Sequence, residues 1–229
     1  MSMKRNAVLA AVAMAAACSA SVQAAPFTLT FEGVGNNAQI LDFYNGGTDS
    51  QGNSGVNYGV RFGGNALGLV DGDAGGNGNF ANEPTPSTTM YFLSGTAILN
   101  YAPGFRDGFS FFYTSTNFEG VVRVYAGENA AGTLLGELVL GINSSPGTCS
   151  GDPGGDFCNW TAAGLDFAGV AKSIDFGGTV DQIGYDNITF GSSDPTVKPV
   201  SEPAGFGLLA LAGIGAVASR RRPSKGART

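Results

Sequence analysis

Apolar and polar positions alternate in short runs along most of residues 25–191. Phe27, Leu29 and Phe31 alternate with Thr28, Thr30 and Glu32. A period of two puts the first set on one face of a strand and the second on the other. Residues 57–62 form a second candidate strand. Residues 88–93 and 96–101 read as a pair joined at Ser94-Gly95, and their continuous apolar runs suit central strands. In residues 108–114, Phe109, Phe111 and Tyr113 fall on one face and are assigned to the core. Residues 121–125 and 133–140 predict a hairpin across 127–132, and residues 172–176 and 182–190 close the domain. The last run changes phase: Ile183 and Tyr185 are odd, Ile188 and Phe190 even. A strand keeps one parity, so a bulge is expected at Asp186-Asn187.

No stretch of this region carries the 3.6-residue period of a long amphipathic helix. About ten short strands then predict an all-β domain, a two-sheet antiparallel β-sandwich of jelly-roll type. Residues 33–79 depart from the pattern, with 14 Gly and 8 Asn in 47 positions. That composition favours turns over ladders, so loops with one or two threaded strands are expected there.

The two ends follow different rules. Lys4 and Arg5 precede an apolar, Ala-rich run, and Val22-Gln23-Ala24 has the small-x-small form of a cleavage site. Residues 1–24 are read as a helical signal peptide. Cys18, after Ala16-Ala17, offers lipidation as a second reading. At the far end a linker, 192–200, leads to Ser201-Glu202-Pro203, then an apolar run over 204–219, then Arg220-Arg221-Arg222. As a helix, that run spans about 24 Å, marginal against a hydrocarbon core of about 30 Å. The Arg cluster belongs on the cytoplasmic side.

This combination over residues 201–229 resembles the PEP-CTERM sorting tail of Gram-negative bacteria. The family motif is Pro-Glu-Pro; Glu202 and Pro203 match, and Ser201 stands in place of the first Pro. The resemblance implies a transient inner-membrane anchor, recognised and cut by an exosortase-type membrane protease. It also implies residence at the cell surface or in an exopolysaccharide and biofilm matrix. Residues 79–84 through Gly104-Phe105, and 169–190, are similar to a domain found in other proteins of this kind.

Charge changes meaning once the ends are set aside. The whole chain has 12 basic and 18 acidic residues and no His. Residues 25–200 keep five basic residues against 17 acids, a net charge of −12. Such a surface repels phosphate backbones, so no nucleic-acid partner is expected. Without His, Ser-His-Asp and Cys-His catalysis are excluded, and so are imidazole metal sites. A glycosidase could still use two carboxylates. However, Asp71/Asp73 and Asp152/Asp156 lie in Gly-rich loops rather than on rigid strands, and no enzyme activity is expected. Cys149 and Cys158 bracket a short Gly/Pro-rich loop and predict a disulfide in an oxidising compartment.

Two segments are candidates for calcium, which takes six to eight oxygen ligands. Glu32 after the first strand, with Asp186 and Asn187 in the last, resembles the structural calcium site of carbohydrate-binding jelly-roll modules. The other reading is a capped strand end. Asp71, Asp73 and Asn77 resemble the start of a calcium loop, although the acidic final residue is missing, position 82 being Asn. The other reading is a solvated turn. Trp160, the only Trp, is the candidate platform for sugar stacking, against simple packing under the Cys loop. Three function classes follow: a non-enzymatic glycan-binding matrix protein, a structural surface protein without ligand, and a carboxylate-based glycan hydrolase. The first is favoured.

Overall fold

A computed structural model describes residues 26–144, 149 and 155–196. The leader over 1–24, the sorting motif Ser201, Glu202 and Pro203, the apolar run and Arg220, Arg221 and Arg222 lie outside the described residues. No helix among the described residues is long and apolar enough to cross a membrane.

Eleven strands are formed: β1 (Phe27–Leu29), β2 (Val60–Phe62), β3 (Leu67–Val70), β4 (Thr88–Tyr91), β5 (Ala97–Phe105), β6 (Phe109–Ser115), β7 (Gly120–Tyr125), β8 (Leu134–Leu140), β9 (Thr161–Leu165), β10 (Ala171–Gly177) and β11 (Ile183–Phe190). They make two antiparallel sheets, as the alternation predicts. The first sheet runs β3-β4-β11-β6-β9, with β1 also paired to β11. The second runs β2-β5-β10-β7-β8. Only β3–β4 and β7–β8 connect within a sheet; every other connection crosses the sandwich.

The core is an aromatic layer between the sheets. Phe111 and Tyr185 of the first sheet meet Phe176 of the second, with ring centroids 5.6 and 5.0 Å away. Phe105 sits edge-on to Phe190 at 4.9 Å. Phe109, Phe111 and Tyr113 point inward, as their spacing requires. The Tyr185 hydroxyl, fully buried, donates to the Gly177 carbonyl of the opposite sheet at 3.1 Å. A buried phenol without such an acceptor is costly, so this bond fixes how the sheets sit on each other.

The expected pairing of 88–93 with 96–101 is not formed. β4 pairs with β3 and β11, whereas β5 pairs with β2 and β10. The chain crosses from one sheet to the other at Ser94-Gly95 instead of reversing within one. Both strands are apolar enough for central places, so each takes one in a different sheet. The hairpin of β7 and β8 across 127–132 is formed.

The Gly- and Asn-rich stretch holds two short strands, β2 and β3, within ordered loops. Asp49 organises one loop, accepting hydrogen bonds from the Gly35, Gln51 and Asn53 backbone N–H groups and from the Asn53 side chain. Phe43 and Tyr44 from this stretch are buried, Tyr44 against Phe31 and Phe62 and Phe43 edge-on to Tyr44.

Candidate functional site

β11 carries two features on the outer face of the first sheet. Its pairing with β6 runs in step from Ile183 to Asp186 and resumes at Thr189. Asn187, at φ 50°, takes up the extra residue, so the bulge lies where the parity change puts it. β1 is the antiparallel neighbour of the second half of β11, from Phe27↔Phe190 to Leu29↔Ile188. The pairing brings Glu32 toward Asp186.

Asp186 is fully buried. It grips Thr85, in the loop between β3 and β4: the Thr85 N–H donates to Asp186 Oδ2 at 3.0 Å. Thr85 Oγ1 lies 2.9 and 3.1 Å from the two Asp186 oxygens, 3.2 Å from Asn187 Oδ1 and 3.3 Å from the Thr30 carbonyl. A hydroxyl has one proton to donate. Four acceptor oxygens around it therefore hold more lone pairs than protons. Glu32 Oε1 accepts the Thr88 N–H at 3.0 Å, and Glu83 Oε1 accepts the Ser87 N–H at 3.0 Å.

The two ion pairs among the described residues, Arg61–Asp42 and Arg123–Glu137, lie elsewhere. Burial raises the Asp186 carboxyl to about 7, against opposing hydrogen bonds from Thr85 and Asn187, with repulsion from Glu32 adding to the rise. Burial also raises Glu32, opposed by the Thr88 hydrogen bond, and Glu83 repels it. Asp71 is raised in turn by burial and by Glu83. The carboxylates thus form an acidic chain. Thr85, Glu83 and the Thr30 carbonyl were not foreseen: Thr85 and Glu83 lie in a segment without periodicity, and strand alternation does not report what a backbone carbonyl such as that of Thr30 faces. Among the described residues, no three His, Cys, Asp or Glu side chains are grouped as a metal site. A cation at the bulge would draw on the hydroxyl, amide and carbonyl oxygens as well.

The second calcium candidate is arranged differently. Asn77 Oδ1 accepts hydrogen bonds from the Asn36 and Asn37 side-chain amides at 2.5 and 3.1 Å. It therefore faces residues 36–37. Asp73 is exposed, and Asp71 accepts from the Gly72 and Asp73 backbone while its carboxyl senses Glu83. Residues 71–78 are a hydrogen-bonded turn, closed by the Gly72 and Gly78 backbones in both sequence and space.

The other feature of β11 is Gly184, one residue from Tyr185 and facing outward. A Cβ here would lie 3.4 Å from the Trp160 ring and 3.2 Å from the Thr114 methyl. The glycine lets the indole come down onto the sheet. Trp160 is half-buried, and its indole N–H donates to the Ala81 carbonyl at 3.1 Å. Its ring meets Phe80 edge-on at 6.2 Å. The Cys149–Cys158 disulfide is present, with Cα atoms 5.4 Å apart. It tethers a segment that is zipped to residues 79–81: Asp156 N–H donates to the Asn79 carbonyl, and Ala81 N–H to the Phe157 carbonyl. These two segments form the wall of a shallow pocket open to solvent. Phe80, Tyr91, Phe157 and Trp160 supply its rings, Asp181 its carboxylate and Gly184 its floor. Trp160 was read from the sequence; Phe80 and Tyr91, from distant segments, and Phe157, three residues before it, were not.

No protein-family model matches the chain, and no curated protein matches it. Among solved structures, the K2 cleaved adhesin domain of Lys-gingipain is similar with 15% identity and a TM-score of 0.44, over 73% of this chain and 98% of that one. The K1 cleaved adhesin domain of Lys-gingipain from Porphyromonas gingivalis has 14% identity and a TM-score of 0.36, over 73% and 98%. The C-terminal CBM6 of a marine laminarinase, LamC, from Zobellia galactanivorans has 18% identity and a TM-score of 0.28, over 56% and 100%.

The raised Asp186 carboxyl has a consequence for stability. Its folded value of about 7 lies above the ordinary 3.8, so protonation favours the folded state. In calcium-free buffer, its contribution is complete below about pH 4 and is lost as pH rises through about 7. Thermal melts in chelator should show stability falling over that window, and Asp186→Asn should flatten the fall. An equal fall in the variant would assign it to other groups.

Proposed function

We propose that this chain is an exported, non-enzymatic glycan-binding protein of the cell surface or exopolysaccharide matrix. The observation that carries the reading is the open pocket around Trp160. Its rings are fixed from both sides, by the indole hydrogen bond to Ala81 and by the disulfide-tethered segment. Sugar rings stack their apolar faces on such platforms, and a rigid platform loses little freedom on binding. Asp181 is the single carboxylate among the lining residues. Carboxylate glycosidases need two acids across the bond to be cut, so the lining supports binding rather than hydrolysis.

Export fits the disulfide, which belongs to an oxidising compartment. In this proposal residues 1–24 direct secretion. The tail anchors the precursor transiently in the inner membrane, until an exosortase-type protease cuts at the motif containing Ser201, Glu202 and Pro203.

The proposal includes a structural calcium ion at the bulge, held by Asp186, Asn187, the Thr30 carbonyl and Thr85 Oγ1, with Glu32 adjacent. The excess of lone pairs over protons at Thr85 supports it, and so does the lack, among the described residues, of an Arg or Lys paired with this buried carboxylate. Hard oxygen ligands of mixed type are what calcium takes. The ion would supply the positive charge that Asp186 lacks and hold the loop over residues 83–87 to β11.

Two measurements follow. Trp160→Ala should lose retention on the producer's own exopolysaccharide by about tenfold or more, the scale of one stacking contact, while the melting transition stays cooperative. Undiminished retention would remove the pocket from the reading. At pH 8, calcium at about 100 times its dissociation constant should add about 2.7 kcal/mol of stability. A chelator should reverse the gain and Asp186→Asn abolish it; a melting temperature indifferent to calcium would leave the bulge as a hydrogen-bonded strand end.

A further inference from the structure

The pocket is chemically one-sided. Four aromatic rings, Phe80, Tyr91, Phe157 and Trp160, surround a space whose one charged lining group is the Asp181 carboxylate. Asp181 is held in place: it sits at φ 61°, and its N–H donates to the Phe92 carbonyl at 3.0 Å. Its charge is close enough to act on Tyr91, whose hydroxyl is raised by burial first and by Asp181 second. The Tyr91 hydroxyl is itself fixed by donation to Asn37 Oδ1.

The surroundings have the same sign. Asp156 lies against Asn79 at the pocket wall, and Asp71, Glu83, Glu32 and Asp186 follow along the same sheet. The described cations are elsewhere. Arg61, Arg123 and Lys172 are on β2, β7 and β10 of the second sheet, and Arg106 follows β5 of that sheet. The field over the pocket from the described residues is therefore negative, and no cation among them lies there to pair a bound anion. Ring faces attract cations through their quadrupoles, and a carboxylate beside them adds a direct partner.

We propose that the pocket selects an ammonium group, and that its ligand is an amino sugar with a free amine in preference to its N-acetylated or uronate counterpart. The inference deepens the glycan-binding reading and rests on it for the sugar. The chemistry requires the ammonium over the rings near Asp181 and the sugar ring stacked on Trp160. An acetamide removes the charge, and a uronate reverses it.

The test uses the secreted protein with four probes at about pH 6, where the amine is charged: a glucosamine trimer, its N-acetylated form, a uronate trimer and tetramethylammonium. Binding is read by calorimetry and by the fluorescence of the single Trp. The glucosamine trimer should bind about tenfold tighter than the acetylated trimer, and the uronate should show no binding. Asp181→Asn should abolish the preference, and added salt should weaken it. Asn tolerates positive φ, so that variant keeps the backbone. Trp160→Phe, which retains a ring, serves if the Ala variant unfolds. Equal or tighter binding of the acetylated or uronate trimer overturns the ammonium selection and leaves the glycan reading standing. Binding of tetramethylammonium alone keeps the ammonium pocket and overturns the glycan reading. Failure of all four overturns both.

Discussion

The grip of Asp186 on Thr85 is the contact on which the outer face of the first sheet depends. It joins the central strand β11 to the loop between β3 and β4. That loop also carries Phe80, and it carries Ala81, whose carbonyl receives the Trp160 indole N–H. The same loop is paired to residues 156–158, which the disulfide tethers. One buried carboxylate thus lies at the root of both the acidic chain and the pocket wall. A buried charge without a cationic partner is costly, and its place at the centre of this arrangement gives the bulge a role beyond strand geometry.

The bulge and the pocket follow one another along the outer face of β11. Before the bulge, Gly184 faces outward and makes room for the indole, while Ile183 and Tyr185 face the core. After it, Ile188 and Phe190 return to the core. The extra residue lets Asp186 and Asn187 both contribute oxygens beside Thr85. Without it, one of the two would face the aromatic layer. Charge is divided in a related way. The described cations lie with the second sheet, and the carboxylates that perturb one another lie with the first.

Much of this was legible in the sequence, for physical reasons. Strand parity revealed the bulge, because a side-chain period of two admits no silent phase change. The inward stripe of Phe109, Phe111 and Tyr113 followed from the same rule, and the close Cys pair gave the disulfide. The position of β3 within the Gly-rich stretch, and β9 altogether, were not foreseen. β3 is Leu-Gly-Leu-Val inside a Gly-rich stretch, and β9 is Thr-Ala-Ala-Gly-Leu, small because the chain at Ser193 crosses directly over Gly164. Neither presents an apolar alternation. The supposed pair at Ser94-Gly95 failed because local turn chemistry does not say which sheet a strand joins. The pocket was visible only through Trp160, since Phe80, Tyr91 and Phe157 converge by tertiary pairing. Thr85 gave no signal, because a hydroxyl becomes part of an oxygen cage only when folding surrounds it.

The central claim is that the outer face of the first sheet binds glycan at Trp160. Amide and indole resonances followed by NMR during titration with fragments of the producer's polysaccharide test it most directly. The chain has a single Trp, so one indole N–H reports on the pocket without ambiguity. The account predicts that this resonance and the Gly184 amide shift together, while the amides of β7 and β8 on the opposite sheet stay still. Shifts confined to the second sheet, or an indole resonance unmoved at saturation, would contradict it.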